Sequence, residues 1–111
     1  MLYAEDNEVN IELMRQVASL RPQVAFRVAP NGMAALEMVR LDPPDLMLVD
    51  MHLGDMTGTE LVRLLRADAG CGGVHFVALS ADALPAQIHA ALDAGFEQYL
   101  TKPIAFSEIL R

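Results

Sequence analysis

Short apolar runs alternate strictly with helical patterns along the whole chain, and this alternation limits the possible folds more than any other feature. "MLYAE", "QVAFRVA", "LMLVD", "VHFVALS" and "FEQYLT" read as strands. "NEVNIELMRQVASL", "GMAALEMVRL", "TGTELVRLLRA" and "LPAQIHAALDA" between them read as helices, and "AFSEILR" begins a fifth that the chain end truncates. In the first helix Val9, Leu13, Val17 and Leu20 form one stripe with Met14 beside them. Asp6 or Asn7 can cap it, and Glu8 and Glu12 suit its positive end. Asn31 caps the second helix, "DPPD" stops it, and Gly95 stops the fourth. The third strand is a continuous apolar run, as a strand covered on both faces should be. No repeat or linker interrupts the series. The prediction is α/β: an open five-stranded parallel sheet with helices on both faces. Residues 1–111 form a single domain, expected to be part of a longer protein because the first strand starts at residue 1.

At 111 residues the chain can bury a core without staples, and 53% hydrophobic against 21% charged residues fits a globular domain. A formal charge of -7 argues against nucleic-acid binding, which needs a basic stripe. No apolar run is long enough to span a membrane and no signal peptide opens the chain, so a cytoplasmic setting is expected. Cys71, the sole cysteine, sits in "GCGG" and reads as a tolerated loop residue.

Strands of an open parallel sheet point the same way, so their carboxyl ends share one edge, where ligands bind. The residues ending each run are therefore predicted neighbours: Glu5 and Asp6, Asp50, Ser80, then Thr101 and Lys102. Lys102 is the only lysine; the other seven cations are arginines. Three acids on one rim repel one another unless something positive joins them. Lys102 offsets one charge, and a hard divalent cation with oxygen ligands, magnesium first, suits the rest. A carboxylate so placed can be a nucleophile that forms an acyl phosphate, and phosphoryl transfer asks mainly for positioning and charge neutralisation.

"AEDN", "LVDMHLGDMTG", "ALSAD" and "YLTKPI" follow the first, third, fourth and fifth strands in order and in register. Together they resemble the receiver domain of bacterial two-component signalling, over essentially the whole chain. "EDNEVNIELM" and "DAGFEQYLTKPI" look most like receivers attached to hybrid sensor histidine kinases. The resemblance implies a flavodoxin-like sheet of order 2-1-3-4-5, with Asp50 as phosphoacceptor. It implies magnesium held by Asp6, Glu5, Asp50 and the backbone carbonyl of His52. Ser80 and Lys102 would contact the phosphoryl group, and Tyr99 would be the rotating switch aromatic. Lys102–Pro103 would be a cis peptide aiming the lysine. The implied partners are a histidine kinase or histidine phosphotransfer domain and a downstream effector. The face of helix four, strand five and helix five would serve output or homodimerisation.

This copy departs from the pattern in having Gly54 where the family usually has proline, so a looser turn is expected. His52 and Asp82 occupy variable positions and are expected to tune the acyl-phosphate lifetime. Competing readings are weaker. A hydrolase of the haloacid dehalogenase type wants a second acid two positions after the nucleophile, where this chain has His52. A flavin carrier wants a hydroxyl-rich phosphate loop, and "EDNEVN" would repel a phosphate. A receiver-like module that is never phosphorylated would not need the full set of acids, hydroxyl and lysine. His75 and His89 are expected to be structural or exposed, and Met51 and Met56 to cover the site loop or a partner surface.

Overall fold

The predicted alternation is realised as ten elements in a computed structural model that describes residues 1–82 and 84–102. They are β1 (Leu2–Ala4), α1 (Glu8–Ala18), β2 (Arg27–Ala29), α2 (Gly32–Leu41), β3 (Leu46–Asp50), α3 (Gly58–Arg66), a 3₁₀ turn at Ala69–Cys71, β4 (His75–Ser80), α4 (Pro85–Ala94) and β5 (Gln98–Thr101). All strands pair in parallel, in the order β2-β1-β3-β4-β5. β1, β2 and β5 are shorter than the apolar runs that contain them. Pro103 and the expected fifth helix lie outside the described residues.

The central strands β1, β3 and β4 are buried on both faces. Leu2, Ala4, Met47, Val49, Phe76 and Ala78 point to one side and pack with α2, α3 and α4. Tyr3, Leu48, Val77 and Leu79 point to the other, where Met14 and Val17 of α1 meet them. This alternation in and out of a two-sided core explains why β3 reads as unbroken hydrophobics. Cys71 lies in the turn between α3 and β4 as expected, but it is 1% exposed and belongs to the larger core.

α1 buries Val17 of its predicted stripe and Met14 beside it, but departs from the rest. Its buried residues are Met14, Val17 and Ala18, with Asn10 half-buried one turn earlier, whereas Val9, Leu13 and Leu20 are 69%, 56% and 66% exposed. The inward face runs through 10, 14, 17 and 18, about 100° round from the face that hydrophobicity alone would choose. Met14 and Val17 pack on the sheet from this face, and the Asn10 amide at its start donates to Glu5 at 2.9 Å, so packing and a polar contact at the sheet edge agree on the same rotation. Leu20 lies beyond the C-cap at Ser19. Asn7 alone caps α1, accepting from the Val9 and Asn10 amides, and Asp6 is left for the rim.

Candidate active site at the carboxyl edge of the sheet

β1 and β3 pair up to Ala4 and Val49, which sets Glu5 and Asp50 side by side at the next position. β4 delivers Ser80 and β5 delivers Thr101, paired with it. The Lys102 amide donates to the Ser80 carbonyl at 2.8 Å and so fixes the lysine backbone at the same rim. Parallel register thus gathers residues up to 97 positions apart.

Glu5 is fully buried and Asp50 is 8% exposed, while Asp6 is exposed. Each of the three offers a carboxylate oxygen within 4.8 Å of the others. Such an all-oxygen, anionic set fits a hard divalent cation. Lys102 Nζ lies 3.2 Å from Glu5 Oε1 and 3.6 Å from Asp50 Oδ2, between the two acids. Glu5 Oε1 also accepts from the Tyr3 hydroxyl at 2.9 Å and from Asn10 at 2.9 Å, and its Oε2 accepts from the Asp6 amide at 3.2 Å.

These contacts divide the proton unequally. Burial, the hydrogen bond with Glu5 and the Glu5 charge push the Asp50 carboxyl up to about 6, against the pull of the His52 amide and Lys102. Burial also acts to raise Glu5. The hydrogen bond from Asp50, the charge of Lys102 and the bonds from Tyr3 and Lys102 outweigh it, and Glu5 stays well below the usual carboxylate range. The pair shares its last proton, held on the Asp50 side.

The loop after Asp50 is tied rather than loose. The His52 amide donates to Asp50 Oδ1 at 3.2 Å, His52 bridges to Thr57, and the Leu53 amide donates to the Met56 carbonyl. Asp55 reaches across to accept from the Gly32 and Met33 amides at 2.8 and 3.0 Å, so the loop carboxylate caps α2 together with Asn31. Those bonds hold the Asp55 carboxyl below its ordinary value. Gly54 has φ +86°, a conformation closed to proline, so this turn as built requires the glycine. At Gly58, a Cβ would stand 2.9 Å from the Asp50 carbonyl oxygen; only glycine lets the start of α3 approach the end of β3 so closely. Met56 covers Gly32 and, like Met51, packs on the larger core.

Ser80 is buried, and its Oγ accepts from the Asp82 amide at 3.1 Å. Tyr99 is half-buried and its hydroxyl donates to the Asp82 carbonyl at 2.8 Å. A cavity of about 190 Å³ separates them from the loop and α4, lined by His52, Thr59, Ser80, Gln87 and Tyr99 among others. The predicted cis peptide at Pro103 lies outside the described residues. Sequence reasoning missed Tyr3, read as a plain strand residue, and also Asn10, Asp55 and Gly58. Asn10 carried a signal, a polar residue where the first helix turns inward, but its meaning depends on Glu5.

The response regulator receiver domain is the family whose sequence profile matches this chain, over residues 1–111. The chain belongs to that family. It is a phosphoacceptor domain of two-component signalling. It is 30% identical over 105 residues to the polar-differentiation response regulator DivK of Brucella anthropi, covering 95% of this chain and 85% of that protein. The receiver domain of a sensor histidine kinase from Pseudomonas aeruginosa, crystallised with magnesium in its active-site cleft, superposes with a TM-score of 0.87 at 28% identity. That match covers 97% of this chain and 88% of the other. A response regulator from Burkholderia pseudomallei, solved with a phosphorylated aspartic acid, a calcium ion and citrate, gives 0.84 at 29% identity over 98% of this chain and 62% of that one. Among the described residues no helix is long and apolar enough to cross a membrane.

Proposed function

We propose that Asp50 is the phosphoacceptor and that the rim around it is the transfer site. The observation carrying this reading is the shared placement of Asp50, Glu5, Asp6, Ser80 and Lys102 at adjacent strand ends, with Lys102 Nζ 3.6 Å from Asp50 Oδ2. An Asp50 oxygen attacks the phosphorus of a phosphohistidine. The O–P bond forms as the P–N bond breaks, and the imidazole leaves with the electron pair and takes up a proton. Lys102 gives a charge-assisted contact to a phosphoryl oxygen. Ser80 rotates its hydroxyl from the Asp82 amide to donate to another. Glu5, Asp6, Asp50 and the His52 carbonyl would hold magnesium, which when bound supplies neutralisation of the acids and of the transferred group. Hard oxygen donors and the magnesium in the Pseudomonas relative support magnesium as the ion.

Tyr99 borders the cavity beside Ser80, so a Ser80 drawn toward a phosphoryl group leaves room for the ring to turn inward and alters the face of α4 and β5. This is a population shift set off by a local charge. That face is the proposed contact for an effector or a second copy. His52 and Asp82 flank Asp50 and Ser80 and are the proposed regulators of acyl-phosphate lifetime. The proposed donor is a histidine kinase or a histidine phosphotransfer protein. Support comes from the site chemistry and from a yeast receiver of the same fold, solved bound to a histidine phosphotransfer protein. A hybrid-kinase parent is proposed from the likeness to the Pseudomonas kinase receiver.

Incubation with magnesium and acetyl phosphate tests the reading by intact mass. The chain is expected to gain one phosphoryl group, lost slowly, and Asp50→Asn to gain none. Labelling that survives the substitution overturns it.

A further inference from the structure

Glu5 Oε1 carries more donors than it can serve well. A carboxylate oxygen offers about two lone-pair directions, yet Tyr3, Asn10 and Lys102 all point at this one, at 2.9, 2.9 and 3.2 Å. The lysine bond is the longest, and the ammonium already leans toward Asp50. Glu5 is fully buried and Tyr3 is 1% exposed, so water is a poor substitute for the Tyr3 donor. We infer that Tyr3 and Asn10 are positioning residues that keep Glu5 Oε1 satisfied, so that Lys102 can transfer from Glu5 to the phosphoryl group on Asp50.

This rests on the phosphoacceptor reading and extends it to two residues outside the rim. A buried carboxylate oxygen left without donors is costly. If Lys102 were its sole partner, the lysine would be held back at the moment phosphorylation needs it. With Tyr3 and Asn10 in place, its departure leaves two donors on two lone-pair directions. Tyr3 lies on the α1 side of the sheet and donates along the strand edge, while Asn10 donates from the first turns of α1. Asn10 makes this bond from the inward face of α1, the face that carries Met14 and Val17, while Val9 and Leu13 face outward.

The sole lysine makes the movement directly observable, because lysine labelled with ¹³C and ¹⁵N gives a single side-chain signal. At saturating magnesium, beryllium fluoride should shift that signal in the unsubstituted chain. Tyr3→Phe, which keeps the ring, should need roughly three- to tenfold more beryllium fluoride for half the shift, with thermal unfolding nearly unchanged. Asn10→Ala should act in the same direction. In a Lys102→Met background, followed through the Gly58 amide, Tyr3→Phe should change the midpoint no further. An unchanged midpoint in Tyr3→Phe and Asn10→Ala overturns the inference. So does an equal loss in the Lys102→Met background, because that would mark a purely structural role. If the unsubstituted chain shows no lysine shift, or Asp50→Asn binds as tightly, the phosphoacceptor reading fails instead.

Discussion

Glu5 and Asp50 end neighbouring strands, sit at the same level of the sheet and are both shielded from water, yet they hold protons very differently. Burial acts on both in the same direction, so burial cannot explain the contrast. The donors can. Glu5 accepts from Tyr3, Asn10, Lys102 and the Asp6 amide, whereas Asp50 accepts from the His52 amide and has Lys102 only at 3.6 Å. The fixed donors belong to the acid that supports the site. The acid left underserved keeps a raised affinity for whatever positive or electrophilic group arrives. A strand-end carboxylate becomes reactive here because its neighbour has taken the hydrogen bonds.

The sharpest way to break this comparison is to remove the underserved acid. Asp50→Asn should abolish phosphoryl labelling. In metal-free protein it should also raise stability at pH 7 by about 2–3 kcal/mol, the cost of ionising a group shifted from 3.8 to about 6. The sign follows from linkage. A carboxyl raised by folding binds its proton more tightly in the native state, so its contribution is full below the unfolded value and is lost as pH climbs through about 6. Urea unfolding at pH 5 and pH 7 should show that loss in the parent chain and not in Asp50→Asn. Glu5→Gln tests the other side. It should weaken magnesium binding at least about tenfold, and it faces buried donors with an amide, at a cost of about 1–3 kcal/mol. Carboxyl ¹³C shifts should then show Asp50 titrating closer to its ordinary range. An Asp50 still near 6 would mean that burial alone sets it.

Gly58→Ala should cost about 1–3 kcal/mol, because the new methyl meets the Asp50 backbone rather than a side chain that can swing away. Thermal melts measure it, and a neutral result would show that α3 is free to retreat. The smallest effect is on pH. Magnesium affinity, followed by calorimetry, should strengthen as pH rises through about 6, by up to about tenfold per unit as Asp50 loses its proton. It should level off above that, since Glu5 is ionised throughout.

The rim acids, hydroxyl and lysine were legible because a parallel sheet turns a one-dimensional pattern into a shared edge. Asp50, Ser80 and Lys102 end or follow their strands, so strand direction alone brings them together. The helix cap Asn31, and Asn7 as one of two candidates, were readable for a similar reason, being local interactions within three residues. The face of α1 was only partly legible. Val17 and Met14 are buried as read, but Val9 and Leu13 face outward and the inward face includes the polar Asn10, whose bond to Glu5 no local pattern announces. Gly54 was conspicuous as a missing proline, but its meaning needed φ +86° and the distant grip of Asp55 on α2.

The sequence by itself determined the order of elements, the edge where chemistry gathers and the residues available there, because periodicity and strand direction are properties of neighbours along the chain. Only the tertiary structure decided how those residues divide donors and protons. Which oxygen Tyr3, Asn10 and Lys102 reach depends on register, helix rotation and burial acting together, and none of these is written in any one segment.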